Sequence, residues 1–355
     1  MLRDAVVVDA VVHPYNLGPD NRDPDRTEQL LAVHQFHRLT TGRDRPEYLL
    51  AEDEFLVDFD GEALSHALFA ESPVDLAVIH ALPNLGFTRG RVTEPERMAE
   101  LRDRYPGRYL LYATVDIPVA ETAVDELEHQ VKEYGVDGLK LYPVMFYDGT
   151  ARGWRLDDDQ ATPLLEAAQD LGVRNVAIHK AIPVPPAPAE MFRVDDFETT
   201  LDRFPSINFH MVHAGVAFVE ETAGLMARHA NLYANLESSF SYLLTKPRRF
   251  AESIGPLLAA AGAERLLFGS GANLTHPRPL LEAFEAFEMP ADLVEERRFP
   301  ALSDEDRANI VGGNALRLHG LSPTDVRTGV AGDHFEQLRD GGFQPPWSLV
   351  RAGQP

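Results

Sequence analysis

The sequence predicts a (β/α)8 barrel, and three observations carry that prediction. Eight short apolar stretches alternate with amphipathic ones along the 355 residues, which is the pattern of buried parallel strands joined by helical crossovers. Five histidines (His13, His80, His179, His213 and His276) fall at or just past the ends of such stretches, and a barrel gathers all its strand ends on one face, where catalytic groups are mounted. An open doubly wound sheet would call for a glycine-rich phosphate turn after the first strand. The residues there, Asp9-Ala10-Val11-Val12-His13-Pro14, contain no glycine at all.

Taken in order, strands are expected at residues 5–13, 76–82, 109–116, 138–143, 173–181, 207–214, 232–237 and 265–270. Helices are expected at 94–105, 119–134, 160–171, 195–204 and 219–228. Gly135 and Gly172 follow two of these helices directly, in the place where a left-handed cap ends a helix. Residues 1–320 read as one barrel domain. Within it, 15–60 is a long, charged insertion with a helix near 26–38, too long for a plain connection and so expected to cap the barrel mouth. Residues 321–355 contain Gly341-Gly342 and Pro345-Pro346-Trp347 and read as an extended C-terminal arm, anchored by Trp347 and Phe343.

Composition narrows the chemistry. The chain has no cysteine, so a metal would need His, Asp, Glu or a modified Lys as ligands. A net charge of −23 argues against binding a phosphate backbone, while a local basic residue could still select an anionic substrate. The apolar run before Asp9 is too short to span a membrane, and no small-residue cleavage site follows it. A cytoplasmic protein with a small-molecule substrate, and no nucleic acid or membrane partner, is expected.

Several side chains are candidates for that chemistry. Strand alternation puts Val7, Asp9, Val11 and His13 in one row, read as facing inward. Lys140 sits inside Gly138-Leu139-Lys140-Leu141-Tyr142-Pro143, where an ammonium is costly unless paired or neutralised. It could be carboxylated, could bind a substrate carboxylate, or could pair with Asp9. His179 ends the fifth strand, with Lys180 facing away. His210 and His213 have opposite parity, so one alone is expected in the lumen. His213 is preferred because small residues follow it, leaving His210 as a satisfied structural group. Asn235 and Glu237 share a side, and Glu237 is a candidate metal ligand or general base, or else a partner of Lys140 or Arg248. Substrate contacts are expected from Tyr15, His80, Arg152, Trp154, Asn235 and His276, with Arg152 and Arg155 suited to an acid and Trp154 to a ring.

These residues resemble the amidohydrolase-related superfamily, in particular the branch containing aminocarboxymuconate semialdehyde decarboxylase and related aromatic-acid decarboxylases. The resemblance runs from the first strand to Asn314-Ala315-Leu316-Arg317-Leu318-His319-Gly320. The family's opening Asp-x-His-x-His strand is matched by Asp9-Ala10-Val11-Val12-His13, its fifth-strand metal histidine by His179, and its sixth-strand catalytic histidine by His213-Ala214-Gly215. Its Phe-Gly-Ser-Asp eighth strand is matched by Phe268-Gly269-Ser270-Gly271. Two metal-ligand positions are therefore changed, to Val11 and Gly271.

The resemblance implies a divalent metal, zinc, at His13 and His179; Glu237 is the expected third ligand, with His213, His80 or a carboxylated Lys140 as alternatives, or no metal binds. It further implies catalysis by His213 and a homodimer, and the strand positions add Glu237 and Lys140 as supporting catalytic groups. The expected activity is metal-assisted hydrolysis or decarboxylation of a small carboxylated or cyclic compound. The alternatives are a metal-free lactonase or amidase on the same fold, with Lys140 or Lys180 polarising the carbonyl, and a non-catalytic relative that only binds.

Overall fold

A computed structural model describes residues 5–115, 120–147, 150–182 and 188–353. Asp116, in the third predicted strand, and Val119, at the start of the second predicted helix, lie outside them. In chain order the strands are β1 (Val8–Val12), β2 (Leu76–His80), β3 (Tyr109–Thr114), β4 (Gly138–Leu141), β5 (Val144–Tyr147), β6 (Thr150–Gly153), β7 (Asn175–His179), β8 (Asn208–Val212), β9 (Leu232–Asn235) and β10 (Leu266–Leu267). Each of the eight predicted strands is present. They form one parallel sheet in the order β1-β2-β3-β4-β7-β8-β9-β10. Backbone bonds from Ala10 N to Phe268 O (3.0 Å) and from Gly271 N to Val11 O (3.0 Å) close the sheet into a barrel. The antiparallel β5–β6 hairpin was not foreseen, although Asp148-Gly149 between its strands is a strong hairpin signal in sequence.

Burial follows the topology. One apolar cluster contains Val7, Ala77, Ile79, Leu111, Leu139, Ile178 and Met211, the strand residues that face the surrounding helices. A second, smaller cluster fills the lumen with Val8, Val11, Leu76, Val78, Tyr112, Ala177, Val212 and Leu267. The expectation that Val7 and Val11 share one row is therefore incorrect. Between Asp9 and Val12 the register with β2 slips by one residue. Such a bulge inverts the alternation, so Val8 faces inward below it and Val11 above it.

The expected helices appear with trimmed ends: Pro95–Arg104, Ala120–Tyr134, Thr162–Asp170, Phe197–Arg203 and Val219–Arg228. The base of the barrel is plugged by residues 309–318. Asn314 there donates from Nδ2 to Ala263 O and Leu266 O, both at 2.7 Å. The insertion carries a helix at Thr27–Thr41. Its two ends are pinned together by Leu17 N to Val57 O (3.0 Å) and Phe59 N to Tyr15 O (2.7 Å). His37 ties this helix to the loop after β10, bonding Leu274 O through Nδ1 at 2.9 Å and accepting from Leu50 N at 2.9 Å.

The tail is helical rather than extended, with short helices at Pro323–Val330, His334–Arg339 and Ser348–Ala352. It begins at the barrel base, where buried Arg108 holds Asp333 through two bonds of 2.7 and 2.9 Å. It ends against the insertion, where the indole of Trp347 donates to Tyr48 O at 2.8 Å. Glu71 is the hub of this seam. Its buried carboxylate accepts from Trp347 N (2.6 Å), Ser348 N (2.8 Å) and Ser348 Oγ (2.7 Å), and it lies 3.1 Å from His276 Nε2. Phe343, by contrast, is 40% exposed. Truncating Trp347 to Ala should destabilise the fold by about 3–5 kcal/mol, as for other buried aromatics. Glu71→Gln should cost about 1–3 kcal/mol through its unpaired donors. Urea unfolding of the full chain measures both.

Candidate active site

The upper lumen is built where β7, β8 and β9 end. His179 is the last residue of β7. β8 ends at Val212, and His213 follows in the left-handed region at φ 69°. A non-glycine residue there is uncommon and costs about 1–2 kcal/mol. The effect of that turn is to aim the His213 ring at its neighbours. Glu237 stands two residues beyond β9, followed by Ser238 at φ 62°. His213 Nε2 lies 2.9 Å from His179 Nδ1, and His213 Nδ1 is in contact with Glu237 Oε2. Ser238 Oγ lies 3.0 Å from each carboxylate oxygen of Glu237.

The contacts suit one arrangement of protons in this chain. The His213 imidazole beside it and the Ser238 hydroxyl outweigh burial and hold the Glu237 carboxyl below its usual range, so it is an ionised acceptor. His213 Nδ1 faces that carboxylate as a close ionic contact, without the alignment of a hydrogen bond, and its Nε2 is placed to accept from His179 Nδ1–H. The basic lone pair left over is on His179 Nε2. Burial, reinforced by the nearby His213 and Lys140, pushes the His179 imidazole well below its ordinary range, so it is neutral at physiological pH.

Around this chain lie further predicted groups. His13 bonds the His80 carbonyl through Nδ1 at 2.8 Å, which directs its Nε2 away from that bond, and burial lowers its pKa to about 3. The Tyr15 ring packs edge-on to His13, centroids 5.5 Å apart, and Tyr142 stacks on His179 at 4.8 Å. Both tyrosines are held in the neutral form by burial, with the Glu237 charge adding to it. His80 stacks on Tyr112 at 4.7 Å, and neither of its ring nitrogens has a partner. Asn235 accepts from Glu237 N at 3.1 Å while its Nδ2 is unpaired.

Lys140 is wholly buried, and its Nζ has no hydrogen-bond partner. Neither pairing considered for it from sequence forms. Asp9 is used by Ser270 N (2.9 Å), Ser270 Oγ (2.5 Å) and Val11 N (3.3 Å), and burial raises its pKa to about 7. Glu237 acts on Lys140 only through its field, while burial lowers the ammonium to about 7. Arg248 is also no partner of Glu237, since it pairs with Glu252 and Asp292.

The structure thus brings His13, Tyr15, His80, Lys140, His179, His213, Asn235 and Glu237 together, and corrects four other assignments. His276 caps the helix Pro277–Ala286, accepting from Arg278 N at 3.2 Å, and packs on Trp347, so it belongs to the tail seam. Trp154 is core, with its indole donating to Tyr142 O at 2.6 Å. Arg152 lies exposed on the outer strand of the hairpin. Lys180 is bound by Asp196 (2.6 Å), Met191 O and Arg193 O, outside the lumen.

His210 is lumenal after all, packed between Tyr112 and Tyr233, and its Nε2 is unpartnered. The parity argument fails because His213 lies beyond the strand, in a left-handed turn that lets both rings point inward. Tyr142 was missed, and Gly271 was read as a lost metal ligand and not as space for Glu237. For Tyr142 the available signal was its parity with Lys140.

The expected metal ligands do not assemble. Among the described residues no three His, Asp or Glu side chains converge as a cation site. Two imidazoles fall short of the three protein ligands that a catalytic zinc takes. Glu237 is turned to His213, and its Oε1 fills the corner beside Gly271: a Cβ built at position 271 would lie 2.2 Å from it.

A family model described as amidohydrolase matches residues 40–321. A search of curated proteins returned no match. Among solved structures, the chain is similar to an uncharacterised TIM-barrel protein of Bordetella bronchiseptica (TM-score 0.62, 18% identity, covering 88% of this chain and 98% of that one). It is similar to a dihydroxybenzoic acid decarboxylase of Polaromonas sp. that holds manganese and 2-nitroresorcinol (0.55, 16%, 90% and 98%). A third is a probable 2-pyrone-4,6-dicarboxylic acid hydrolase of Acinetobacter baumannii with bound citric acid (0.54, 15%, 89% and 99%).

The unpaired Lys140 makes a pH prediction. Its folded pKa of about 7 lies below its ordinary 10.5, so between those values the unfolded chain holds a proton that the folded chain has released. Stability then rises with pH across this window, by at most about 1.4 kcal/mol per pH unit. Lys140→Met should flatten that rise and stabilise the protein most at the acidic end. Urea midpoints at pH 7 and pH 9 for the two proteins test this.

Proposed function

This chain belongs to the amidohydrolase family, as an amidohydrolase-like hydrolase or carboxy-lyase, and we propose that it hydrolyses a small carboxylated lactone or amide by proton relay through its own residues. The observation that carries this reading is the continuous chain Glu237–His213–His179, which ends in one free basic nitrogen. A general base needs a lone pair that substrate-bound water can reach. His179 is the one member of the three that is not fully buried, so the base is His179 rather than His213.

The relay works in one direction at a time. Water attacks the carbonyl carbon as His179 Nε2 takes its proton. The proton on His179 Nδ1 passes to His213 Nε2, and the resulting imidazolium rests against the ionised Glu237 carboxylate. Reversing these transfers delivers a proton from His179 Nε2 to the leaving oxygen or nitrogen. The developing oxyanion needs donors that stay protonated. The hydroxyls of Tyr15 and Tyr142 meet that condition, since burial holds both neutral. Where Lys140 keeps its proton, below about pH 7, it supplies positive potential beneath the site, which favours a carboxylated substrate over a neutral one.

This scheme routes no step through a metal, because Glu237, the expected third ligand, is turned to His213. On a panel of carboxylated lactones and amides, His179→Gln and Glu237→Gln should each lower kcat/KM by about 10²–10⁴-fold. Activity should persist in chelator with less than one metal ion per chain. Loss of activity in chelator, restored by manganese or zinc, would overturn the proposal. So would CO2 release from hydroxybenzoates without hydrolysis of any panel member.

A further inference from the structure

We propose that Gly271 is a positioning residue for Glu237, its missing side chain being the slot that aims the carboxylate at His213. This rests on the relay reading and adds a residue that touches no substrate. A Cβ at position 271 would stand 2.2 Å from Glu237 Oε1, 3.0 Å from its Cδ and 3.3 Å from its Cγ. No side chain accepts such contacts without moving its neighbour.

Glu237 has nowhere else to go. Its second oxygen meets His213 Nδ1, and Ser238 Oγ holds both oxygens. The backbone at 271 cannot give way either. Gly271 N is spent on the Val11 carbonyl that closes the barrel, and Gly271 O accepts from Leu274 N at 2.8 Å. A methyl group at 271 therefore swings the carboxylate off His213 and breaks the relay.

Gly271 also has φ +62°, a conformation that favours glycine for itself. The chain provides its own control for this. Gly135 has the same φ of +62° with nothing within 4 Å of its Cβ position. Alanine at 135 carries the backbone strain without the collision.

The test uses the full chain without ligand, labelled with 15N-histidine. The wild type is expected to show a strongly downfield Nδ1–H resonance from His213, assigned by its loss in His213→Gln. Gly271→Ala should lose this resonance, Gly135→Ala should keep it, and Gly271→Ala/Glu237→Asp should regain it because the shorter side chain withdraws from the methyl. Persistence of the resonance in Gly271→Ala overturns the proposal, as does its absence from the double variant. Should Gly271→Ala fail to fold, recovery of a cooperative thermal transition in the double variant supports the proposal and continued failure overturns it. A wild type without the resonance sinks the relay itself, which is a different outcome from a Gly271→Ala protein that retains it.

Discussion

Closing eight parallel strands into a cylinder forces every inward side chain into one narrow, dry space, and the chemistry of this protein follows from that enclosure. Low dielectric strengthens each interaction that is made and penalises each polar group left alone. The lumen holds both kinds. Glu237, His213 and His179 are in contact in series, while Lys140, His80 and His210 are buried with nitrogens that bond nothing. Enclosure disfavours charge on His13, His80 and His179 and keeps the tyrosines protonated. A relay of imidazoles ending on a carboxylate depends on that enclosure.

The second controlling feature is how the strands leave the barrel. Just beyond the ends of β8, β9 and β10 the chain turns left-handed, at His213, Ser238 and Gly271. Each turn re-aims a group that strand alternation would have pointed elsewhere. The turn at His213 brings a second histidine of that segment inward, the one at Ser238 sets a hydroxyl on Glu237, and the one at Gly271 leaves room for the carboxylate. Strain of this kind persists where the surroundings over-determine it. Here the closing bonds between β1 and β10 provide that support.

The same seam explains the departure from the family's pattern at Gly271. The corner beside Gly271 is filled by Glu237, reaching across from the end of β9. A carboxylate is still present, but it faces an imidazole instead of an open coordination position. At the rear, the tail and the insertion are joined through Glu71, His276 and Trp347. A histidine that reads from sequence as a substrate contact is spent there on holding the protein together.

Much of this was legible in the chain itself. The alternation of apolar and amphipathic runs determined eight strands, their order and the barrel, because burial on both faces leaves a periodic signature that needs no partner to be read. Strand-end placement likewise singled out His13, His179, His213 and Glu237, since costly polar groups stand out against apolar runs. What only the tertiary structure decided was direction and pairing. The bulge in β1, the inward turn of His210, the outward loss of His276 and Trp154, and the slot at Gly271 all depend on neighbours from distant segments. A sequence specifies which residues reach a surface, but hydrogen-bond partners and free space are properties of the whole enclosure, and they come into being only once it closes.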